Sequence, residues 1–352
     1  MREGVTAGSG EDCERERVGR GYAEVAMVHL RIISPPDRTD AVLDVLSCTP
    51  SVINLIVLRD AARRPDGDVI MCDVAREDTS VILSDLKELG VHEDGSIALE
   101  LVDTALSRYA EEAERHAPGA PSDAVVWEEV EARTNENVEL SAVFLLFMIL
   151  AALIAAVGIF LDSPILIVGA MVVGPEFGPI AGFCVALVQR RRALATRSAV
   201  ALAVGFPLAI LVTYLATLLF KATGITPDTF TQADHQLSNI ISSPDFFAAF
   251  VAVCAGAAGM LSLSTAKSGA LIGVLISVTT IPAAANIGVA AGYQDWPAWR
   301  GSLAQLSINL AAILVAGTAV LAVQRALYQR RRGRHIRAEL RPDEPRVREP
   351  VR

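Results

Sequence analysis

The stretch "GAMVVGPEFGPIAG", residues 169–182, decides how this chain is interpreted. It lies inside a long apolar run, yet it contains two prolines, four glycines and one acid, Glu176. Proline lacks a backbone donor and clashes with the carbonyl four residues before it, so Pro175 and Pro179 each predict an interruption of a helix. The stretch therefore predicts a broken helix with a carboxyl group beside the break.

The sequence around this stretch predicts that the break lies inside a membrane. Of 352 residues, 52% are hydrophobic and 20% are charged, which is more apolar than an ordinary soluble domain. A transmembrane helix needs about 20 consecutive apolar residues. The six segments that qualify are 140–161, 164–188, 198–221, 245–266, 268–292 and 303–325. The expected fold is a polytopic α-helical membrane domain over residues 140–325, with the lipid bilayer as its surroundings.

Charge predicts the orientation of these spans. Arginines cluster at 190–192 and 330–334, after the second and sixth predicted spans, whereas the connection 223–244 contains acids but no lysine or arginine. Basic connections stay in the cytoplasm. We therefore expect a multi-pass protein of the cell inner (plasma) membrane with cytoplasmic N- and C-termini. The same clusters indicate topology rather than nucleic-acid binding, so no nucleic-acid partner is expected.

The residues before the first span predict a separate α+β domain. Residues 1–25 are predicted to be a disordered tail, and residues 26–104 show the order β-α-β-β-α-β of a ferredoxin-like split unit. In plan this unit resembles ACT-like regulatory domains, and both a sensing role and a packing or assembly role are open. Residues 105–139 are predicted to form a linker and connecting helix, and 326–352 a basic, then charged, tail.

Two apolar segments resemble each other across the predicted membrane domain. Residues 165–187 and 270–291 each reach a proline at a similar position, Pro179 or Pro282, and each ends in small residues. Since each half has three spans, the halves begin on opposite sides of the membrane and would run in opposite directions. This pattern predicts a three-plus-three inverted repeat with interrupted second and fifth spans, the plan of many secondary transporters. Small-residue composition alone is the alternative explanation.

The longer stretch "LDSPILIVGAMVVGPEFGPIAG", residues 161–182, resembles the signature of a membrane family called domain of unknown function 389. The matching positions are Asp162, Ser163, Gly169, Ala170, Met171, Pro175, Gly178, Pro179 and Ile180. In the second half, the matching positions are Gly273, Ile281, Pro282 and Asn309, with Ala283 where many relatives have a second proline. The resemblance, over residues 27–325, implies a membrane protein with a cytoplasmic α+β domain and implies no known activity.

The predicted transport or ion site lies at the broken helix. A carboxyl group near the bilayer centre costs a few kcal/mol, so Glu176 should face the interior of the bundle. The candidate residues are Gly174, Pro175, Glu176, Gly178, Pro179, Thr279, Thr280, Pro282, Asn286 and Asn309. Alternatively, the prolines only kink the helix, and Glu176 lies near the surface or is a structural donor. Asp162 and Ser163 are predicted to cap the second span.

These features favour a transporter or channel for a small solute or ion, regulated by the cytoplasmic domain. The alternative is a membrane-anchored sensor or assembly scaffold whose soluble domain binds a ligand or partner. The sequence contains no phosphate-binding loop and no hydrolase or metalloprotease motif, so we expect neither an enzyme nor a cofactor. Scattered histidines and cysteines predict no metal site. Small-residue helix faces predict a homo-oligomer.

Overall fold

The computed structural model describes residues 25–105, 107–117, 125–226, 236–265 and 280–339. These residues form two compact units, one ending at Val126 and the other beginning at Trp127. The predicted disordered tail lies outside the described residues, apart from Val25. Thr279, Gly273 and the first part of the predicted fifth span also lie outside them.

The N-terminal unit is a four-stranded antiparallel sheet with helices. Its elements in chain order are β1 (Val25–Ser34), α1 (Thr39–Cys48), β2 (Val52–Arg63), β3 (Asp66–Ala75), α2 (Arg76–Glu88), α3 (Val91–Asp94), β4 (Ser96–Ala105) and α4 (Arg108–His116). The strands lie in the order β2-β3-β1-β4 and every neighbouring pair is antiparallel. The predicted strand and helix order is present, with the short α3 added before β4.

Alternation along β1 places apolar side chains on both faces of this sheet. Leu30 and Ile32 are buried in one cluster with Leu46 of α1 and Leu86 of α2. Met27 is buried on the other face, where alanines of α4 pack against it. Cys72 lies in the first cluster, and burial raises the pKa of its thiol to about 12. This cysteine is therefore a small apolar residue of the core.

Asp68 connects β3 to the end of β2. Its carboxylate accepts hydrogen bonds from the Asp60 backbone N–H at 2.7 Å and the Arg59 guanidinium at 3.0 Å. The bond from the Asp60 backbone is the largest cause that lowers the pKa of Asp68, and the bond from Arg59 lowers this pKa further. A group with a lowered folded pKa stabilises the fold above its unfolded pKa. This stabilisation is lost as the pH falls through the folded pKa.

We expect Asp68→Asn to destabilise the N-terminal unit by about 1–3 kcal/mol, because buried bonds to a charged acceptor are weakened. Hydrogen exchange of β2 and β3 amides in the full-length protein should accelerate at neutral pH, and the difference from the wild type should shrink in acid. Asp66→Asn is the matched control, since Asp66 is exposed at the same end of β3. Equal exchange in the two variants would refute this role.

The second unit is a helical bundle. Its helices are α5 (Trp127–Asn137), α6 (Ala142–Phe160), α7 (Pro164–Val173), α8 (Phe177–Gln189), α9 (Arg192–Ala222), α10 (Gln236–Ser242), α11 (Phe246–Ser264), α12 (Thr280–Tyr293) and α13 (Trp296–Glu339). Helices α6, α9, α11 and α13 are long and apolar enough to cross a membrane. The pair α7 and α8 meets the same criterion together, with a bend of 51° between them.

These helices make the chain a membrane protein with four candidate spans among the described residues, or five if the bent pair is one span. Large apolar side chains remain exposed along α6, as at Val143, Leu146 and Leu150. Such extended apolar surface is unusual on a soluble protein and suits contact with lipid. Of the predicted fifth span, the structure describes only the residues of α12, so the number six remains a prediction.

Helix α12 lies in the interior of the bundle. Each of its residues from Thr280 to Ala290 is buried, and most of them are small. A Cβ added to Gly288 would lie 2.8 Å from the Ile210 carbonyl oxygen of α9, and one added to Gly292 would lie 2.6 Å from Thr217 Cγ2. These two glycines therefore let α12 approach α9 closely.

The two ends of the bundle have different chemistry. At one end, which we call the arginine end, Arg325 donates to the Val188 carbonyl oxygen at 2.8 Å and Arg191 forms an ion pair with Glu131. At the opposite end, which we call the Asp162 end, Asp162 Oδ1 accepts from the Leu237 backbone N–H at 2.9 Å. The connection that follows α6 thus meets the first turn of α10 at the Asp162 end.

Candidate functional site

The helix break extends over three residues between α7 and α8. Gly174 has an extended backbone, with φ −64° and ψ 127°, and its N–H still donates to the Ala170 carbonyl at 3.1 Å. Pro175 then interrupts the hydrogen-bond ladder because it has no N–H. Glu176 occupies the N-cap position of α8. The interruption predicted at Pro175 is present.

The interruption predicted at Pro179 is wrong. Pro179 is the third residue of α8 and the helix continues through it. A proline is tolerated in the first turn because its missing N–H would have no intrahelical acceptor there. Gly178 lies in the same turn, and its N–H donates to the Pro175 carbonyl at 3.3 Å.

The break lies roughly halfway through the bundle. Helix α7 has 10 residues. At about 1.5 Å per residue, it covers about 15 Å from the Asp162 end, half of a hydrocarbon core of about 30 Å. Glu176 therefore lies far from either end, as the sequence predicts.

The Glu176 side chain faces the interior and is only 4% exposed. Its Oε1 accepts a hydrogen bond from Thr280 Oγ1 at 2.8 Å. Its Oε2 is buried and has no hydrogen-bond partner among the described residues. A Cβ on Gly174 would lie 2.3 Å from Oε2 and 2.8 Å from Ile281 Cγ1, so there is no room for a methyl group between Gly174 and this oxygen. The alternative of a surface-exposed Glu176 is therefore wrong.

Glu176 is unusual among the described residues of the bundle because its side chain is both ionisable and buried. It is the one Asp, Glu, Lys or Arg side chain buried there, so no basic partner is buried with it among these residues. An isolated buried carboxylate is strongly unfavourable unless it is neutralised or paired. A positive charge at Oε2 would remove this cost, while Thr280 holds the other oxygen.

Two further polar groups occupy the interior. Asn286 donates from Nδ2 to Ser302 Oγ at 2.8 Å and accepts at Oδ1 from Ser238 Oγ at 3.0 Å. Gln305 donates from Nε2 to Asn309 Oδ1 at 2.9 Å. Gln305 Oε1 is buried and has no hydrogen-bond partner among the described residues. Asn286 lies in α12, and Ser302, Gln305 and Asn309 lie in α13. Ser238 lies in α10.

Helix register places these groups relative to Glu176. Helix α12 ends at the Asp162 end and α13 begins there, so the two run antiparallel. Asn286 is beside Ser302. Thr280 lies six residues before Asn286 in α12, and Asn309 lies seven residues after Ser302 in α13. Thr280 and Asn309 therefore lie at about the same depth, and Asn286 lies about 9 Å nearer the Asp162 end.

The remaining predicted residues have mixed outcomes. Pro282 is buried in α12. The residues before Thr280 are outside the described ranges, so an interruption near Pro282 remains a prediction. Thr279 is outside them too.

The predicted caps need correction. Ser163 occupies the N-cap position of α7, but its side chain makes no capping bond to a described residue. Asp162 precedes that position, and its carboxylate instead accepts from an N–H in the first turn of α10.

Sequence reasoning missed Ser238, Ser302 and Gln305. Ser302, Gln305 and Asn309 are spaced by three and four residues, which places them on one face of α13. That spacing was a usable signal, because Asn309 was already a candidate. Ser238 had no such signal, since it lies in a short helix of seven residues. Among the described residues, no group of three His, Cys, Asp or Glu could hold a metal ion.

The fold and site define a polytopic α-helical membrane protein with an α+β unit. Residues 171–315 match the family model described as "Domain of unknown function (DUF389)". The match confirms the resemblance predicted from residues 161–182. It begins at Met171, and therefore the α+β unit and α6 lie outside it.

Comparison with curated proteins gives a distant relative. Uncharacterized protein MJ0678 of Methanocaldococcus jannaschii is 27% identical over 210 residues, which are 58% of this chain and 62% of the relative. The chain thus spans about three fifths of that relative's length. No solved structure matches the chain.

Proposed function

We propose that the bundle is a transporter or channel for a small solute or ion, with Glu176 and Thr280 at its centre. The observation that carries this proposal is the buried carboxylate in a broken helix, with one oxygen on Thr280 and the other without a described partner. Burying an unpaired acid costs stability. Ionisable groups inside a membrane domain commonly mark ion or substrate pathways, which would account for an acid at this position.

The proposal includes a finer architecture. The Glu176–Thr280 bond joins residues 104 positions apart, one from each predicted repeat half, which supports a three-plus-three inverted repeat. The connection after α6 lies at the Asp162 end and the connection after α8 lies at the arginine end. This alternation supports six spans. The arginine end would be cytoplasmic in a plasma membrane. The strand order β2-β3-β1-β4 supports a ferredoxin-like unit.

Regulation by the N-terminal unit would act through α5, the helix that follows it. A Cβ on Gly182 of α8 would lie 2.2 Å from Val138 Cγ2 and 3.2 Å from Thr134 Cγ2, so α8 packs closely against this segment. The ion pair between Glu131 and Arg191 adds a second contact at the end of α8. A movement of α5 would therefore reach the half-helix that begins beside Glu176.

The test is flux through full-length protein in proteoliposomes, measured with a panel of labelled ions and small solutes. We expect at least one species to move faster than in empty liposomes. Thr280→Val should lower that flux about tenfold, because the carboxylate loses its hydrogen-bond donor. Thr223→Val is the matched control, since Thr223 is exposed and bonds to carbonyls of its own helix. A silent panel, or equal flux in Thr280→Val and wild type, would contradict the proposal.

A second candidate is a sensor or assembly scaffold, favoured by one feature of the N-terminal unit. Ile56 and Leu58 of β2 are 48% and 47% exposed, and their spacing places them on one face of the sheet. Under this proposal, Ile56→Asp should weaken self-association of the full-length protein in detergent and leave flux unchanged. Sedimentation of the wild type and the variant as equal species would contradict it.

A further inference from the structure

We propose that the ion exchanged at Glu176 is a proton and that it reaches Glu176 from the Asp162 end. Its route is a row of buried side chains that we call the polar row: Asn309, Gln305, Ser302, Asn286 and Ser238. This inference rests on the proposed function and specifies its ion and its direction of access.

The surroundings of the carboxyl group favour a proton over a metal cation. Metal cations that bind oxygen need several oxygen ligands around them. Oε1 already accepts from Thr280, and Oε2 lies so close to Gly174 that a methyl group added there would collide with it. A proton neutralises the carboxylate without occupying additional volume, which also removes the cost of an isolated buried charge.

Apart from Cys254, the other ionisable groups on the surrounding helices lie far along their axes. Helices α6 and α7 contain none in their sequences. The groups on the other helices packed around the break are Glu128, Glu129, Glu131, Arg133 and Glu136 of α5, Cys184 of α8, Arg192, Arg197, Tyr214 and Lys221 of α9, Tyr293 of α12, and Arg300, Arg325 and the residues after Arg325 in α13. By helix register each is about 9 Å or more from the level of Glu176. Cys254 of α11 lies nearer that level, but it is exposed and a thiol carries no positive charge. None of these groups is placed to neutralise the Glu176 carboxylate.

The polar row leads from the level of Glu176 to the protein surface. Asn309 and Gln305 are hydrogen-bonded to each other, and Ser302 follows one turn away on the same face of α13. Ser302 accepts from Asn286, and Asn286 accepts from Ser238. The residue before Ser238 donates its N–H to the exposed Asp162. Hydroxyl and amide groups supply the donors and acceptors that a moving proton requires.

Toward the arginine end, the described helices pack closely against one another. A Cβ on Gly317 of α13 would lie 2.8 Å from Met260 Cγ and 3.3 Å from Cys184 Sγ. One added to Gly256 would lie 2.8 Å from the Ile313 backbone. Helices α8, α11 and α13 therefore meet closely between Glu176 and the arginine end. Among the described residues, the polar row extends from the level of Glu176 to the Asp162 end, which favours access from that end.

Infrared difference spectroscopy of the full-length protein in lipid nanodiscs tests the bound proton. We expect a protonated-carboxyl band at neutral pH that is lost in Glu176→Gln and kept in Glu139→Gln, whose acid is exposed. Thr280→Val should shift the same band by removing its hydrogen bond, which provides a second readout if Glu176→Gln fails to fold. Absence of the band from mildly acidic to mildly alkaline pH overturns the inference. Its loss on adding sodium ions alone assigns a metal cation instead and also overturns it.

The rate at which the band shifts after transfer to heavy water tests the route. We expect Ser302→Ala to slow this exchange about tenfold, since Ser302 is buried within the polar row. Ser307→Ala, an exposed serine of the same helix, should exchange as the wild type does. Equal rates in both variants overturn the route. A silent flux panel with an intact band refutes transport alone, whereas flux without the band refutes the proton.

Discussion

Replacing Glu176 with Gln is expected to lower flux through the reconstituted protein by about ten- to hundredfold. This range corresponds to about 1.4–2.8 kcal/mol, since each 1.4 kcal/mol is a factor of ten. Glutamine has nearly the volume of glutamate, and its carbonyl oxygen can still accept from Thr280 Oγ1. The bundle should therefore fold, yet the side chain can neither take up nor release a proton. The measurement is initial flux in proteoliposomes matched for protein content.

Glu139→Gln is the control for this replacement. Glu139 is exposed just before α6, so it loses the same charge from the same unit without touching the break. We expect its flux to equal that of the wild type. Wild-type flux in Glu176→Gln, or an equal loss in both variants, would show that the buried carboxyl group has no special part in transport.

Gly174→Ala should reduce flux about as strongly, through position rather than charge. The added methyl group would lie 2.3 Å from Glu176 Oε2 and 2.8 Å from Ile281 Cγ1. The backbone at Gly174 is compatible with alanine, so backbone strain is not the cause. Instead the carboxyl group must move, and its bond to Thr280 is lost or lengthened. The infrared band of the Glu176 carboxyl group should shift together with the loss of flux.

Gly169→Ala is the matched control in the same broken span. No described atom lies within 4 Å of a Cβ at Gly169. Alanine also favours the helix over glycine by about 1 kcal/mol, so thermal stability should stay equal or rise. Its flux should be that of the wild type. If both alanine variants lose flux equally, space beside Glu176 does not determine activity.

The break could be predicted because its cause is local. Pro175 lacks an N–H wherever it lies, and an acid within an apolar run must face the interior of the bundle. The same local reasoning failed for Pro179, since the effect of a proline depends on whether the helix has already begun.

The partners of the site residues could not be read from local patterns. Thr280 is 104 positions from Glu176, and only the comparison of the two apolar segments indicated that part of the chain. Asp162 looked like a cap for the helix that follows it, yet its partner lies in α10, 75 positions away. Ser238 belongs to the polar row because α10 packs against α12 and α13, which is a property of the tertiary structure.

Proton entry into proteoliposomes tests the central claim most directly. Full-length protein is reconstituted with a pH-sensitive dye in the lumen, and a potassium diffusion potential, negative inside, draws protons inward. We predict luminal acidification in the wild type and in Glu139→Gln, and none above empty liposomes in Glu176→Gln. Equal acidification in the wild type and Glu176→Gln, or a wild type no faster than empty liposomes, would contradict the account.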